Sequence, residues 1–173
     1  MRAHRGLACV LLVACTDGPD SAAPDSSLRC GAAPTLEIGS SESDWLGPLQ
    51  TDDPVTMVHG PQNGWHMLAS VYLERTEPIV DIHVLIETLD GVAVADNTYA
   101  PVRLKEDGSC AGYFTGMYGY ITVSGLTDDP DQKPPDVLGG ETLWMTVSVQ
   151  DAVGRAVSGA VQITAALDPI DQR

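Results

Sequence analysis

Three stretches of this chain alternate apolar and polar residues with a period of two, and they restrict the fold more than any other feature. Trp65, Met67, Ala69, Val71 and Leu73 share one parity, while His66, Ser70, Tyr72 and Glu74 take the other. Val80, Ile82, Val84 and Ile86 repeat the pattern against Asp81, His83 and Glu87. Leu143, Met145, Val147 and Val149 alternate with Trp144, Thr146, Ser148 and Gln150; Val157, Val161, Ile163, Ala165 and Leu167 stay in phase on the return. Neighbouring side chains on a strand point to opposite faces, so this pattern describes strands buried on one side. Beyond residue 15, helical periodicity never persists for more than a turn.

Shorter strands are expected over residues 35–39, 44–46, 55–58, 92–95 and 101–105. Asp90-Gly91, set between Leu89 and Val92, predicts a two-residue type I′ hairpin, because that turn needs positive φ at both central positions. Residues 113–124 are rich in aromatic and β-branched side chains, and Gly112, Gly116 and Gly119 predict a bulge or a break there. Residues 126–140 are acidic and Pro-rich and read as a long loop. The chain has one Phe against 17 Gly and 12 Pro, which suits strands and turns better than helices. About seven to nine strands in two packed antiparallel sheets are expected.

The closing hairpin, Leu143 to Leu167 with Asp151-Ala152-Val153-Gly154 at its turn, resembles the last two strands of bacterial immunoglobulin-like domains. That resemblance implies an all-β fold: a single antiparallel immunoglobulin-like β-sandwich over residues 34–168. The chain departs from antibody-type domains in lacking their Cys…Trp…Cys framework. No internal repeat is present.

The N-terminus reads as an export signal: Arg2 and Arg5 are followed by an apolar run from Gly6 to Ala14. Nine residues fall far short of the roughly 20 needed to span a bilayer as a helix. Leu12-Val13-Ala14-Cys15 resembles the lipobox of bacterial lipoproteins. In that family the preceding peptide is removed and the Cys thiol receives a diacylglycerol. The resemblance implies a signal peptide over 1–14, lipidation at Cys15, and a membrane contact made through the lipid alone. Thr16, rather than Asp, follows the Cys, which under enteric-type sorting leans to the outer membrane. Residues 15–33 are rich in Asp, Ser, Ala, Pro and Gly and are expected to be a flexible tether. Residues 169–173 are expected to fray.

With Cys9 lost in the signal and Cys15 lipidated, Cys30 and Cys110 are left as an even pair in an oxidising compartment, and they are expected to form a disulfide. Two unpaired thiols are the alternative. The formal net charge of −15 becomes −17 once Arg2 and Arg5 leave with the signal. Such a charge argues against nucleic acid or anionic lipid as a partner of the domain.

Chemistry is sparsely encoded. There is no Gly-x-Ser-x-Gly elbow, no Ser-x-x-Lys and no Gly-rich phosphate loop. Cys110 lies in Gly108-Ser109-Cys110-Ala111-Gly112, which has the look of a reactive-thiol loop but suits a disulfide partner better. His59 and His66, with a nearby acid, are candidate zinc or copper ligands, without a recognised ligand spacing. Asp128, Asp129 and Asp131 could offer hard oxygen ligands to Ca2+, though their spacing is not that of an EF-hand. No catalytic residue, resident metal or cofactor is expected. Trp45, Trp65, Trp144, Tyr113, Tyr118 and Tyr120 are candidates for an aromatic partner surface, with Trp144 and Trp65 foremost. The expected function is a non-catalytic binding, adhesion or envelope-assembly module on the bacterial cell envelope. Its partner would be an envelope protein or a glycan. The competing expectation is an envelope hydrolase, or a metal-dependent enzyme using His59 and His66.

Overall fold

The structure, a computed structural model, describes residues 30–31, 33–60 and 64–169. The signal peptide, Cys15, most of the tether and the last four residues lie outside the described residues. The elements run β1 (Thr35–Gly39), β2 (Asp53–His59), β3 (Trp65–Glu74), β4 (Ile79–Thr88), β5 (Ala93–Arg103), β6 (Lys105–Glu106), β7 (Ala111–Ile121), α1 (Pro134–Leu138), β8 (Thr142–Asp151) and β9 (Ala156–Leu167).

The all-β expectation holds, but the sheet is not purely antiparallel. All nine strands join one mixed sheet in the order β5-β4-β8-β9-β2-β3-β7-β6, with β1 added on β3. The exception is β2, which runs parallel to β9 from Asp53↔Ile163 to Met57↔Leu167. Its other end is antiparallel to β3, from Met57↔Met67 to His59↔Trp65. β1 occupies the same edge of β3 further along, from Thr35↔Glu74 to Gly39↔Ser70. The chain therefore leaves that edge after β1 and returns to it at β2, and the detour carries the start of β2 across to β9. A parallel pair needs a long connection rather than a turn, so no local sequence signal announces it.

The sheet curls until its ends nearly meet. Thr122 N–H donates to Val94 O at 2.8 Å, Tyr120 N–H to Asn97 Oδ1 at 3.0 Å, and Tyr99 Oη–H to Tyr118 O at 2.8 Å. The seam between β5 and β7 is thus held largely by side chains. The result is almost a barrel.

The alternating strands face inward as their parity requires: Met67, Ala69, Val71, Leu73, Ile82, Val84, Ile86, Leu143, Met145, Val147 and Ile163 have no exposed surface. Met57, Met67, Met117 and Met145 are all fully buried. With so few large aromatics in the chain, these flexible thioethers fill the irregular gaps of the barrel.

Several local expectations need correcting. Residues 44–46 form no strand; Trp45 folds over the outer face and packs on Tyr72, with ring centroids 5.8 Å apart. The two strands expected at 92–95 and 101–105 are one, β5, which carries Pro101 on a strand whose only ladder partner is β4; an edge tolerates the missing N–H. The Asp90-Gly91 turn is not type I′, because only Gly91 has positive φ (85°). Gly91 N–H donates to Thr88 O and Thr88 N–H to Val92 O, both at 3.0 Å. That is a three-residue loop ending in a left-handed glycine. The β8–β9 turn repeats it, with Gly154 at φ 85° and its N–H donating to Asp151 O at 2.9 Å. The 126–140 loop contains the one-and-a-half-turn helix α1, which Pro134 starts without losing a needed N–H and which buries Leu138.

The expected disulfide is present: Cys30 and Cys110 are bonded, with Cα atoms 5.5 Å apart. It ties the segment before β1 to the start of β7.

Candidate binding cleft

The outer face of β2, β3 and β7 carries one cross-strand row, Val58–His66–Tyr120, with Tyr118 two residues before Tyr120 on the same face. His66 holds the middle of the row because its parity opposes that of Met67, which points into the core. Its ring lies edge-on to Tyr118, with centroids 4.8 Å apart and planes at 81°, and 6.4 Å from Tyr120. Tyr118 and Tyr120 lie side by side at 6.3 Å with an interplanar angle of 29°.

A bulge supplies a further side chain. Ala69 pairs with Met117 and Val71 with Phe114, so two steps along β3 oppose three along β7. Gly116 absorbs the extra residue at φ 69°. Its N–H donates to Ser41 O at 2.9 Å, and a Cβ there would meet Glu42 O at 2.9 Å. Ser41 Oγ–H donates to Ser70 Oγ at 3.0 Å beneath it. The strand bulge therefore pins residues 41–42 across the sheet and sets Glu42 beside His66.

Glu42, Val58, His59, His66, Tyr118 and Tyr120, with Gly60 and Gly64, together line a cleft of about 370 Å3. Residues 41–45 cover the outer face on one side of it, and the tyrosine side stays open, with Tyr120 59% exposed. Burial pushes the His66 imidazole below its ordinary pKa, against an opposing pull from the Glu42 carboxylate. The cleft thus combines two imidazoles, of which His66 is held toward its neutral form, two phenol rings and one carboxylate. These groups can stack, accept and donate hydrogen bonds and attract positive charge.

His59 and His66 reach the same cleft from neighbouring strands. They belong to opposite parities of the β2–β3 pair: His59 is opposite Trp65 and stacks on it at 4.8 Å, whereas His66 faces outward onto the tyrosines. Despite that opposite parity both residues line the same cleft, His59 from the last position of β2. Among the described residues no group of three His, Cys, Asp or Glu side chains is placed to hold a metal ion. Asp129 Oδ1 accepts the Asp131 N–H at 3.0 Å, and Asp129 N–H donates to Thr127 Oγ1 at 3.1 Å; that loop uses its polar atoms on its own turn, and Asp128 and Asp131 remain on its exposed surface.

The aromatic candidates divide among separate places. Trp65 packs against the core. Trp144 stands on the outer face of β8 between Glu87 and Gln162 and is 37% exposed. Tyr113 lies under the Lys105 ammonium at 5.1 Å. Tyr118 and Tyr120 join the cleft around His66, while Trp65 lines a separate hollow with Ile121 and Asp129. Glu42 was not legible as a site residue, since its position depends on the bulge; the signal available was the glycine spacing around Met117.

A second polar cluster lies at the opposite end, beside the disulfide. Asp151 Oδ1 accepts the N–H groups of Val153 at 3.2 Å and Arg155 at 2.9 Å. Its Oδ2 receives Arg155 Nε at 2.9 Å and Nη2 at 2.8 Å. Glu77 N–H also reaches Oδ2, at 3.4 Å. This cluster locks the β8–β9 turn onto the β3–β4 corner, a structural role.

No protein-family model matches the chain, and no curated protein matches it. Among solved structures it is similar to the CooA pilin subunit from enterotoxigenic Escherichia coli, at 11% identity over 78% of this chain and 99% of that one, with a TM-score of 0.33. A likeness that loose carries no argument about activity.

Proposed function

We propose that this protein is a lipid-anchored, non-catalytic binding module of the bacterial cell envelope. Cys15 carries the lipid, residues 16–33 form the tether, and the β domain presents its surface to an envelope partner. The outer membrane is the favoured site, through Thr16. The observation that carries the reading is the Cys30–Cys110 bond. Such bonds persist in oxidising compartments, and these are the two cysteines that remain when Cys9 and Cys15 are assigned to signal and lipid.

The finer fold reading is an immunoglobulin-like sandwich. In that reading one layer would be β1, β3, β7 and β6, and the other β5, β4, β8 and β9. In the one continuous sheet β2 pairs with both β3 and β9 and would bridge the two layers. Support for a binding role comes from the cleft itself. It gathers imidazoles, two phenol rings and a carboxylate, groups that recognise a ligand by stacking, hydrogen bonding and charge.

The test is mass mapping of the protein recovered from intact cells under non-reducing conditions. The reading expects one peptide pair joined through Cys30 and Cys110. Recovery of both residues alkylated without prior reduction would sink it.

A further inference from the structure

We infer that the Glu42–His66–Tyr118–Tyr120 cleft is a cation-recognition site that takes the guanidinium or ammonium end of a basic side chain presented by a protein partner. This rests on the binding-module reading above and names the chemistry of its ligand.

Ring chemistry is the first support. Tyr118 and Tyr120 line the same opening with their planes nearly aligned. An aromatic face carries the negative lobe of the ring quadrupole and attracts a cation. Charge is the second support. Glu42 adds a full negative charge at the rim, and among the described residues no Lys or Arg lines the cleft. Burial disfavours the cationic form of His66, so that ring does not repel a cation. The whole chain, at −15, draws a basic partner toward it and repels an acidic one.

Size and shape select the source. A cleft of about 370 Å3 lies at the small end of the roughly 300–1,000 Å3 usual for ligand sites. It opens along a sheet face instead of closing over its occupant. One side chain inserted from a docked surface fits that shape better than an enclosed metabolite. Arg is also among the residues that most often anchor interfaces.

The experiment uses the full-length protein in non-ionic detergent. A blocked Gly-Arg-Gly peptide is titrated by calorimetry against its citrulline counterpart, which keeps the shape and removes the charge. The arginine peptide should bind about tenfold more tightly. Glu42→Gln and Tyr120→Ala should each abolish most of that preference, while Tyr120→Phe and the remote Trp144→Ala should keep it. Equal binding of the two peptides, binding of neither, or a preference that survives both Glu42→Gln and Tyr120→Ala would overturn the assignment. So would preferential binding of an uncharged chitin oligosaccharide in the same cleft. The binding-module reading fails differently: intact protein would then retain no partner from solubilised membranes. A partner retained equally by wild type and the Glu42→Gln/Tyr120→Ala double variant would refute the cleft alone.

Discussion

Asn97 and Tyr120 stand 23 residues apart, and the side-chain carbonyl of the first accepts the backbone N–H of the second at 3.0 Å. This bond does two things. It closes the seam between β5 and β7, where no continuous backbone ladder forms, and it holds the strand segment that presents Tyr120 to the cleft. Asn97→Ala leaves that N–H to water and should cost about 1 kcal/mol in urea denaturation. Tyr99→Phe, which removes the donor to Tyr118 O at 2.8 Å, should cost a similar amount. If both variants match wild type, the seam is not held by these side chains.

Gly116 is the pivot that places Glu42. An L side chain at φ 69° is strained, and a Cβ there would also crowd Glu42 O at 2.9 Å. Gly116→Ala should therefore destabilise the protein by about 1–3 kcal/mol and shift residues 41–42 off the sheet. The second effect is readable as a change in the NMR titration of His66, because Glu42 is the carboxylate that opposes the burial effect there. An unchanged His66 titration would mean that Glu42 had not moved.

The Asp151 carboxylate has no exposed surface and serves both the Arg155 guanidinium and two turn N–H groups. Asp151→Ala would leave a largely buried guanidinium with only the Glu77 carboxylate, 4.0 Å away, at a cost of about 3 kcal/mol. Equilibrium denaturation measures it directly. A loss below about 1 kcal/mol would place the pair in the class of surface ion pairs.

His66 gives stability a pH dependence with a definite sign. Its folded-state pKa lies below the 6.5 of a free imidazole, so on acidification the unfolded chain takes up the proton first. The contribution is fully present above pH 6.5 and is lost as pH falls through the lower, folded value. His66→Gln should flatten that part of the curve of stability against pH, and Glu42→Gln should steepen it by removing the opposing carboxylate. A His66→Gln curve with the wild-type slope between pH 7.5 and 5 would contradict the assignment.

What the sequence revealed followed from local rules, and what it hid was long-range. Parity placed Met67, Val71, Ile82 and Met145 in the core because alternation is a property of each strand alone. Cysteine counting found the Cys30–Cys110 pair from chemistry and not from geometry. The parallel β2–β9 pair stayed hidden because its partners are about a hundred residues apart and no turn links them. The Asp90-Gly91 dipeptide marked the hairpin correctly but not its loop length, since a left-handed glycine serves both turn families. In the cleft, His66, Tyr118 and Tyr120 were visible as separate candidates. Their union required the β3–β7 register, and Glu42 required the bulge at Gly116.

The central claim is that the chain is anchored to the envelope through Cys15. Metabolic labelling with a clickable fatty-acid analogue, in cells producing wild type or Cys15→Ser, tests it most directly. The account predicts label on the wild-type protein and none on Cys15→Ser, with the variant released from the membrane fraction. Label that persists on Cys15→Ser, or wild-type protein that never takes it, would contradict the account.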